Sequence, residues 1–266
     1  MKKIVLCPPD YYDIEYEINP WMSLGNKVDK LKVQGQYQAL RQLYLRLDVQ
    51  TLEIKPDPGL PDMVYTINTG WVAKGIFIKA NFRYPQRRRE ADLMGEFLEE
   101  ELNLETKTLP TGVYFEGGGD LLKAGEKYFL GWGKRSVYEA KNYLEEFLES
   151  KIIDINLENP YFYHLDTCFA PLCEDTVVIN EGAFKPEELK KIQQNFKNII
   201  VTNEQDNKFL ACNIVVFEKN IIITKGISLG LRQRIESFGF QVHEVGMSEY
   251  LKGGGSVKCV SLGIED

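Results

Sequence analysis

Short apolar runs alternate with amphipathic stretches along this chain, and the alternation repeats. Over residues 27–48 the apolar positions Tyr37, Leu40, Tyr44 and Leu47 fall at i, i+3, i+7 and i+10, one face of a helix, so the spacing predicts a helix there. Residues 49–54 read as a strand, and 55–61, with prolines at 56, 58 and 61, as a rigid turn. Similar units follow, each a short apolar run, a turn carrying glycine or charge, a second apolar run, a loop and a helix. The first takes residues 63–73, then 76–78 and a helix over 86–102; the second takes 113–122, then 127–131 and a helix over 137–149. The third starts at His164, passes through 176–180 and reaches a helix over 186–196; the fourth runs through 209–216 and 220–224 to a helix over 229–238.

A fifth unit opens at residues 253–262, and its missing strand and helix are found at the other end of the chain, in 4–6 and 27–48. The units recur about every 45 to 51 residues, a period that predicts a radial or stacked architecture. Joining the two ends closes a ring and leaves no exposed sheet edge. The expectation is one α/β domain over residues 1–266, strands inside and helices outside. Residues 10–26 break the pattern as an irregular, aromatic-rich loop, which either packs Trp21 on the core or covers a site.

The length, near the upper limit for one hydrophobic core, allows one large domain or two small ones. The formal charge of −7, and a densest basic run (Arg87-Arg88-Arg89) followed at once by Glu90, argue against a nucleic-acid partner. No stretch approaches the roughly 20 apolar residues of a membrane span, and residues 1–9 read as a first strand rather than a signal peptide. A cytoplasmic location is expected. The five cysteines, Cys7, Cys168, Cys173, Cys212 and Cys259, show no Cys-x-x-Cys spacing, so neither zinc nor a disulfide framework is expected.

A ring makes equivalent positions of its inner strands converge near the axis. At that phase stand Asn68, Glu116, His164, Asn213 and Cys259, with Asp166 two residues beyond His164 and on the same face of an extended strand. Cys259 follows Gly253-Gly-Gly-Ser, a backbone able to approach a ligand closely. A thiol near an imidazole or a bound cation loses its proton more readily, and the thiolate is the nucleophile. Glu116 and Asp166 would face each other as acceptor-only groups whose repulsion a planar cation relieves. A guanidinium matches them in fork geometry. Its carbon is a poor electrophile unless carboxylates hold it and an acid protonates the departing nitrogen, a role that suits His164.

The motifs Phe115-Glu116-Gly-Gly-Gly-Asp120, His164-Leu-Asp166-Thr167 and Gly-Gly-Ser-Val-Lys-Cys259, in this order, resemble the guanidine-modifying (pentein) superfamily of five-bladed α/β propellers, built from ββαβ repeats around a central site. Its members include arginine deiminases, dimethylarginine dimethylaminohydrolases, amidinotransferases and arginine dihydrolases. The resemblance implies Cys259 as nucleophile, His164 as proton shuttle, and Glu116 and Asp166 on the guanidinium, without a cofactor. Leu60-Pro61-Asp62 and Pro85-Gln-Arg87-Arg88 resemble the grip on the substrate's amino-acid end, Asp62 toward the α-amino group and Arg87 toward the α-carboxylate. Arg135 resembles a second carboxylate-binding arginine.

Asn68 is a departure. The deiminases and dimethylaminohydrolases carry an aspartate there, whereas Tyr65-Thr-Ile-Asn68-Thr-Gly resembles the cyanobacterial arginine dihydrolases. After the first cleavage the product is a neutral ureido group, whose carbonyl a carboxylate would repel and an amide NH2 can bond. Asn19, in the loop Ile18-Asn19-Pro20-Trp21-Met22, is the candidate for a second amide contact. The implied reaction takes L-arginine to ornithine, carbon dioxide and two ammonia through an amidino-cysteine intermediate. A deiminase giving citrulline and one ammonia, and a dimethylarginine hydrolase, are the alternatives. An amidinotransferase would need an amine acceptor, and the non-catalytic ribosome anti-association version of the fold would lack an axial thiol and imidazole. A homo-oligomer is left open.

Overall fold

The structure, a computed structural model, describes residues 3–264. The chain opens with β1 (Lys3–Leu6), α1 (Lys30–Arg46) and β2 (Gln50–Glu53). Next come β3 (Gly70–Ala73), β4 (Ile76–Lys79), α2 (Arg88–Leu102) and β5 (Glu105–Lys107), then β6 (Leu121–Ala124), β7 (Lys127–Trp132), α3 (Ala140–Leu148) and β8 (Ile152–Asn156). The next unit holds β9 (Phe169–Pro171), β10 (Thr176–Ile179), α4 (Pro186–Asn195) and β11 (Asn198–Val201). After α5 (Glu204–Lys208) follow β12 (Val215–Phe217), β13 (Asn220–Thr224), α6 (Leu229–Ser237), β14 (Gln241–Val245), α7 (Ser248–Leu251) and β15 (Leu262–Ile264).

These strands form five three-stranded sheets, one per repeat; the third, outer strand of each is the one the ββαβ resemblance implies, and apart from residues 49–54 the apolar runs do not show it. In each, the inner strand pairs antiparallel with the middle one, and the middle one pairs parallel with the outer strand that follows the helix. Trp71 thus faces Ile78, which faces Lys107. The last sheet is β15-β1-β2, where Val5 faces Leu262 antiparallel and Leu52 parallel, so the two ends of the chain join the ring. Inner strands β3, β6, β9, β12 and β15 contribute to the lining of a cavity of about 120 Å³. Among the described residues no helix is long and apolar enough to cross a membrane.

Local chemistry sets the element ends. α1 begins at Lys30, where the Asp29 carboxylate accepts from the Lys32 backbone N–H at 3.0 Å. It buries Val33, Tyr37, Leu40, Leu43 and Tyr44, each contributing about 1.5–3 kcal/mol. Leu47 sits just past the helix end and is half-buried, so it contributes little to that face. α2 follows a short 3-10 turn opened by Pro85 and stops at Asn103, whose φ of 53° is left-handed. The short helices α5 and α7 carry no long apolar period, and the periodic reading did not find them.

One expectation needs correcting. His164 and Asp166 do not share a strand. His164 is extended, but Leu165–Thr167 is a 3-10 turn, as are Thr66–Thr69 and Gly117–Gly119, and each turn leads into an inner strand. The carbonyls of Thr69, Asp120 and Cys168 each accept from the residue ending or following the middle strand's pairing, which fixes the register. In that register Glu116 and His164 are equivalent as turn-entry residues, whereas Asn68 lies three positions further into its own turn.

Candidate active site

The entry positions of two neighbouring turns bring Glu116 and His164 together, with Glu116 Oε2 2.8 Å from His164 Nε2 and 2.8 Å from Arg135 Nη1. The other oxygen of Glu116 accepts from the Arg83 backbone N–H at 3.2 Å. Burial alone would raise this carboxyl's pKa. The Arg135 guanidinium and the His164 bond outweigh burial and hold it well below the usual carboxylate range. Because a carboxylate only accepts, His164 Nε2 carries a proton, and its other nitrogen, Nδ1, faces the Asn68 amide nitrogen at 3.5 Å. A methyl group on Gly119 would overlap both that amide and the ring, so only glycine lets them meet. Asp120 anchors the turn, accepting from Ser136 Oγ at 2.6 Å and the Leu165 N–H at 3.1 Å. Burial raises its pKa to about 6.

At the other end, Cys259 Sγ lies 3.5 Å from Asp166 Oδ2 and 3.1 Å from Asn213 Nδ2. Asn213 Oδ1 accepts the backbone N–H of Cys259 at 3.0 Å and of Lys258 at 2.9 Å, so one amide holds both the sulfur and its peptide. Burial, and then the Asp166 charge, push the thiol well above its ordinary value. Burial likewise lifts Asp166 to about 7, offset in part by the positive charge of Lys258. Asp166 Oδ1 is buried without a hydrogen-bond partner, and so is Asp62 Oδ1. A buried acceptor left unsatisfied costs about 1–3 kcal/mol, so each marks a place built for a donor.

Residues 10–26 both pack on the core and reach across the site. Tyr12, Ile14 and Met22 are buried, while Asn19 donates to the Gly253 carbonyl at 3.0 Å and Trp21 Nε1 to that of Tyr161 at 2.9 Å. Arg135 Nη2 donates to the Ile18 carbonyl at 3.0 Å. Gly254 (φ 85°) comes so close to Asn19 and Tyr163 that a side chain there would collide with both. Tyr163 donates to its carbonyl at 2.7 Å and lays its ring 4.8 Å from that of His164.

All nine residues singled out in the sequence fall in this region; all but Asn19 are at most 3% exposed. Their partners differ from the expectation in three respects. Glu116 does not face Asp166 as half of an open pair, since its oxygens hold His164, Arg135 and the Arg83 peptide. Arg87 gives its Nε and Nη2 to Glu90, at 3.0 and 2.7 Å, and its Nη1 to Asn68 Oδ1 at 3.2 Å. Asp62 Oδ2 accepts from Tyr16 at 2.9 Å and lies 3.9 Å from Arg87. Glu90 and Asp120 were not among the site candidates. Asn213 stands in the inner-strand phase, but its sequence context assigns it no chemistry. Among the described residues no group of three or more His, Cys, Asp or Glu is placed to hold a metal ion.

A deeply buried thiol beside a carboxylate, with an imidazole backed by a second carboxylate, is equipped for nucleophilic attack on a bound cation. Comparison with known proteins agrees in kind. The model of the eukaryotic N,N-dimethylarginine dimethylhydrolase family matches residues 22–265. This chain belongs to that family of guanidine-modifying hydrolases. A dimethylarginine dimethylaminohydrolase of Mycobacterium tuberculosis is 34% identical over 99% of this chain and 86% of its own length. A bifunctional arginine dihydrolase/ornithine cyclodeaminase of Nostoc is also 34% identical over 99% of the chain. The chain spans only 38% of that relative's length. Among solved structures, the N-terminal domain of ArgZ, a cyanobacterial arginine dihydrolase, bound to substrate superposes with a TM-score of 0.93. It is 32% identical and covers 98% of this chain and 97% of that one. The five-bladed propeller of the guanidine-modifying family is therefore the fold.

Proposed function

We propose that this domain, residues 1–266, hydrolyses the guanidinium group of free L-arginine to ornithine, carbon dioxide and two ammonia. The observation that carries this reading is Asn68, a buried amide 3.5 Å from His164 Nδ1, where it can bond a neutral ureido carbonyl. The two unsatisfied oxygens, on Asp166 and Asp62, suit the guanidinium and α-amino ends of such a substrate. Arg87 and Arg135 supply positive charge for its carboxylate, and the loop carrying Asn19 closes over it. A soluble, cytoplasmic setting fits this small-molecule chemistry.

In this reading Asp166 holds the cation against Cys259, which lowers the cost of forming a thiolate. The thiol proton passes to His164, and the sulfur attacks the guanidinium carbon. His164 returns the proton to the departing nitrogen, and ammonia leaves an amidino-cysteine. Water, deprotonated by His164, attacks that carbon and expels the sulfur, giving the ureido compound. With Asn68 and Asn19 retaining it, a second round of attack releases the second ammonia, and hydrolysis of the resulting carbamoyl-cysteine yields carbon dioxide and ornithine. Two waters are consumed for each arginine. Glu116 keeps the imidazole turned so that Nδ1 faces the chemistry.

A second reading, dimethylarginine hydrolysis, is favoured by the family model and by the mycobacterial relative. One experiment separates them: quantify ammonia, ornithine, citrulline and dimethylamine from purified protein given arginine or dimethylarginine. Two ammonia and one ornithine per arginine support the dihydrolase. One ammonia with accumulating citrulline makes it a deiminase, and dimethylamine with little action on arginine makes it the second.

A further inference from the structure

Asparagine's two ends differ only in which is oxygen and which is NH2, so a buried amide with a chemical task needs something to fix its orientation. At Asn68 that something is Arg87. A guanidinium donates and never accepts, so the end of Asn68 facing Arg87 Nη1 at 3.2 Å must be the oxygen. The NH2 is thereby turned toward His164 Nδ1. Arg87 is in turn oriented by Glu90, three residues on and fully buried, whose carboxylate takes Nε at 3.0 Å and Nη2 at 2.7 Å in a bidentate fork. The centroid of the Phe82 ring lies 4.6 Å and that of Tyr65 6.0 Å from the guanidinium carbon, which restrains its tilt and leaves its rotation in plane to the Glu90 fork.

We propose that Glu90 is a positioning residue: through Arg87 it sets which way round the Asn68 amide sits, and so whether the ureido intermediate is kept for its second hydrolysis. This rests on the retention role given to Asn68 above. Without the Glu90 fork, Arg87 can swing its Nη1 off Asn68, the amide is free to turn over, and its oxygen then meets the ureido carbonyl. Two acceptors repel, and the intermediate leaves as citrulline.

The test measures the citrulline-to-ornithine ratio from arginine for the whole chain, wild type against Glu90→Gln. Loss of one charge-assisted bond predicts a rise of about tenfold in that ratio, larger than the fall in the rate of first ammonia release. A Glu90→Gln protein that is slower or less stable but keeps the wild-type ratio overturns the proposal and leaves Glu90 a structural ion-pair partner. Glu90→Asp, which keeps the charge but is one methylene too short to hold both Arg87 nitrogens, must leak citrulline likewise, and serves if Glu90→Gln does not fold. In an Asn68→Asp background, adding Glu90→Gln must leave the ratio where Asn68→Asp put it. A further, additive rise counts against the relay. Should the wild-type protein itself stop at citrulline, the dihydrolase reading falls and takes this role with it, a result distinct from an unchanged ratio.

Discussion

Glu116 and Asp166 are two carboxylates in one site, both fully buried, yet their affinities for a proton are driven in opposite directions. Burial penalises both. Glu116 then gains a guanidinium and an imidazole, each at 2.8 Å, and stays ionised. Asp166 gains a thiol at 3.5 Å and the charge of Lys258, keeps one oxygen unpaired, and rises to about 7. Partners, not depth, separate the two roles. The first carboxylate is spent inside the protein, steadying the imidazole, while the second is held in reserve for a cation from outside.

The largest effect comes from breaking the spent pair. Glu116→Gln strands the buried Arg135 charge and costs about 3–5 kcal/mol of stability, read from the urea unfolding midpoint. With the imidazole unsupported, kcat falls by about 10²–10⁴ as well. Asp166→Asn cuts kcat/KM for arginine by about 10² or more, yet its stability effect has the opposite sign. The native carboxyl titrates near 7 against an ordinary value of 3.8, so its penalty grows between about pH 4 and pH 7. At pH 8 the Asp166→Asn protein is as stable as wild type or better by about 1 kcal/mol, and at pH 4 the gain is gone. Equal destabilisation by both substitutions would erase the distinction. More subtly, kcat/KM should drop about tenfold per pH unit below about 7, as the free enzyme's Asp166 takes up a proton, and the residual activity of Asp166→Asn should lack that limb. The smallest effect is at Asn213→Ala, which frees the sulfur from its amide and lowers kcat about tenfold with little change in KM.

The fold was legible because its repeats are written in hydrophobic period: α1, α4 and α6 lie within three residues of where the spacing puts them. The turns were not. His164-Leu-Asp166 reads as extended because nothing in three residues announces a 3-10 turn whose Thr167 hydroxyl donates to the His164 carbonyl at 2.6 Å. The site was legible as a set of residues and much less so as a set of bonds. Arg87 and Glu90, three residues apart, look in sequence like a surface pair at a helix start, and only burial against Phe82 and Tyr65 turns them into an internal clamp. Asn213 shares the axial phase with Cys259, but spacing cannot tell that its amide grips the sulfur rather than the core.

Because β15 completes a sheet begun by β1, the first of the described strands to be synthesised waits for the last of them. Glu116, His164 and Asp166 leave the ribosome long before Cys259 does. A chain stopped short of Cys259 holds both carboxylates and the imidazole but neither the sulfur nor the strand that completes the β15-β1-β2 sheet, so closing the fold and arming the site depend on the same last stretch of sequence.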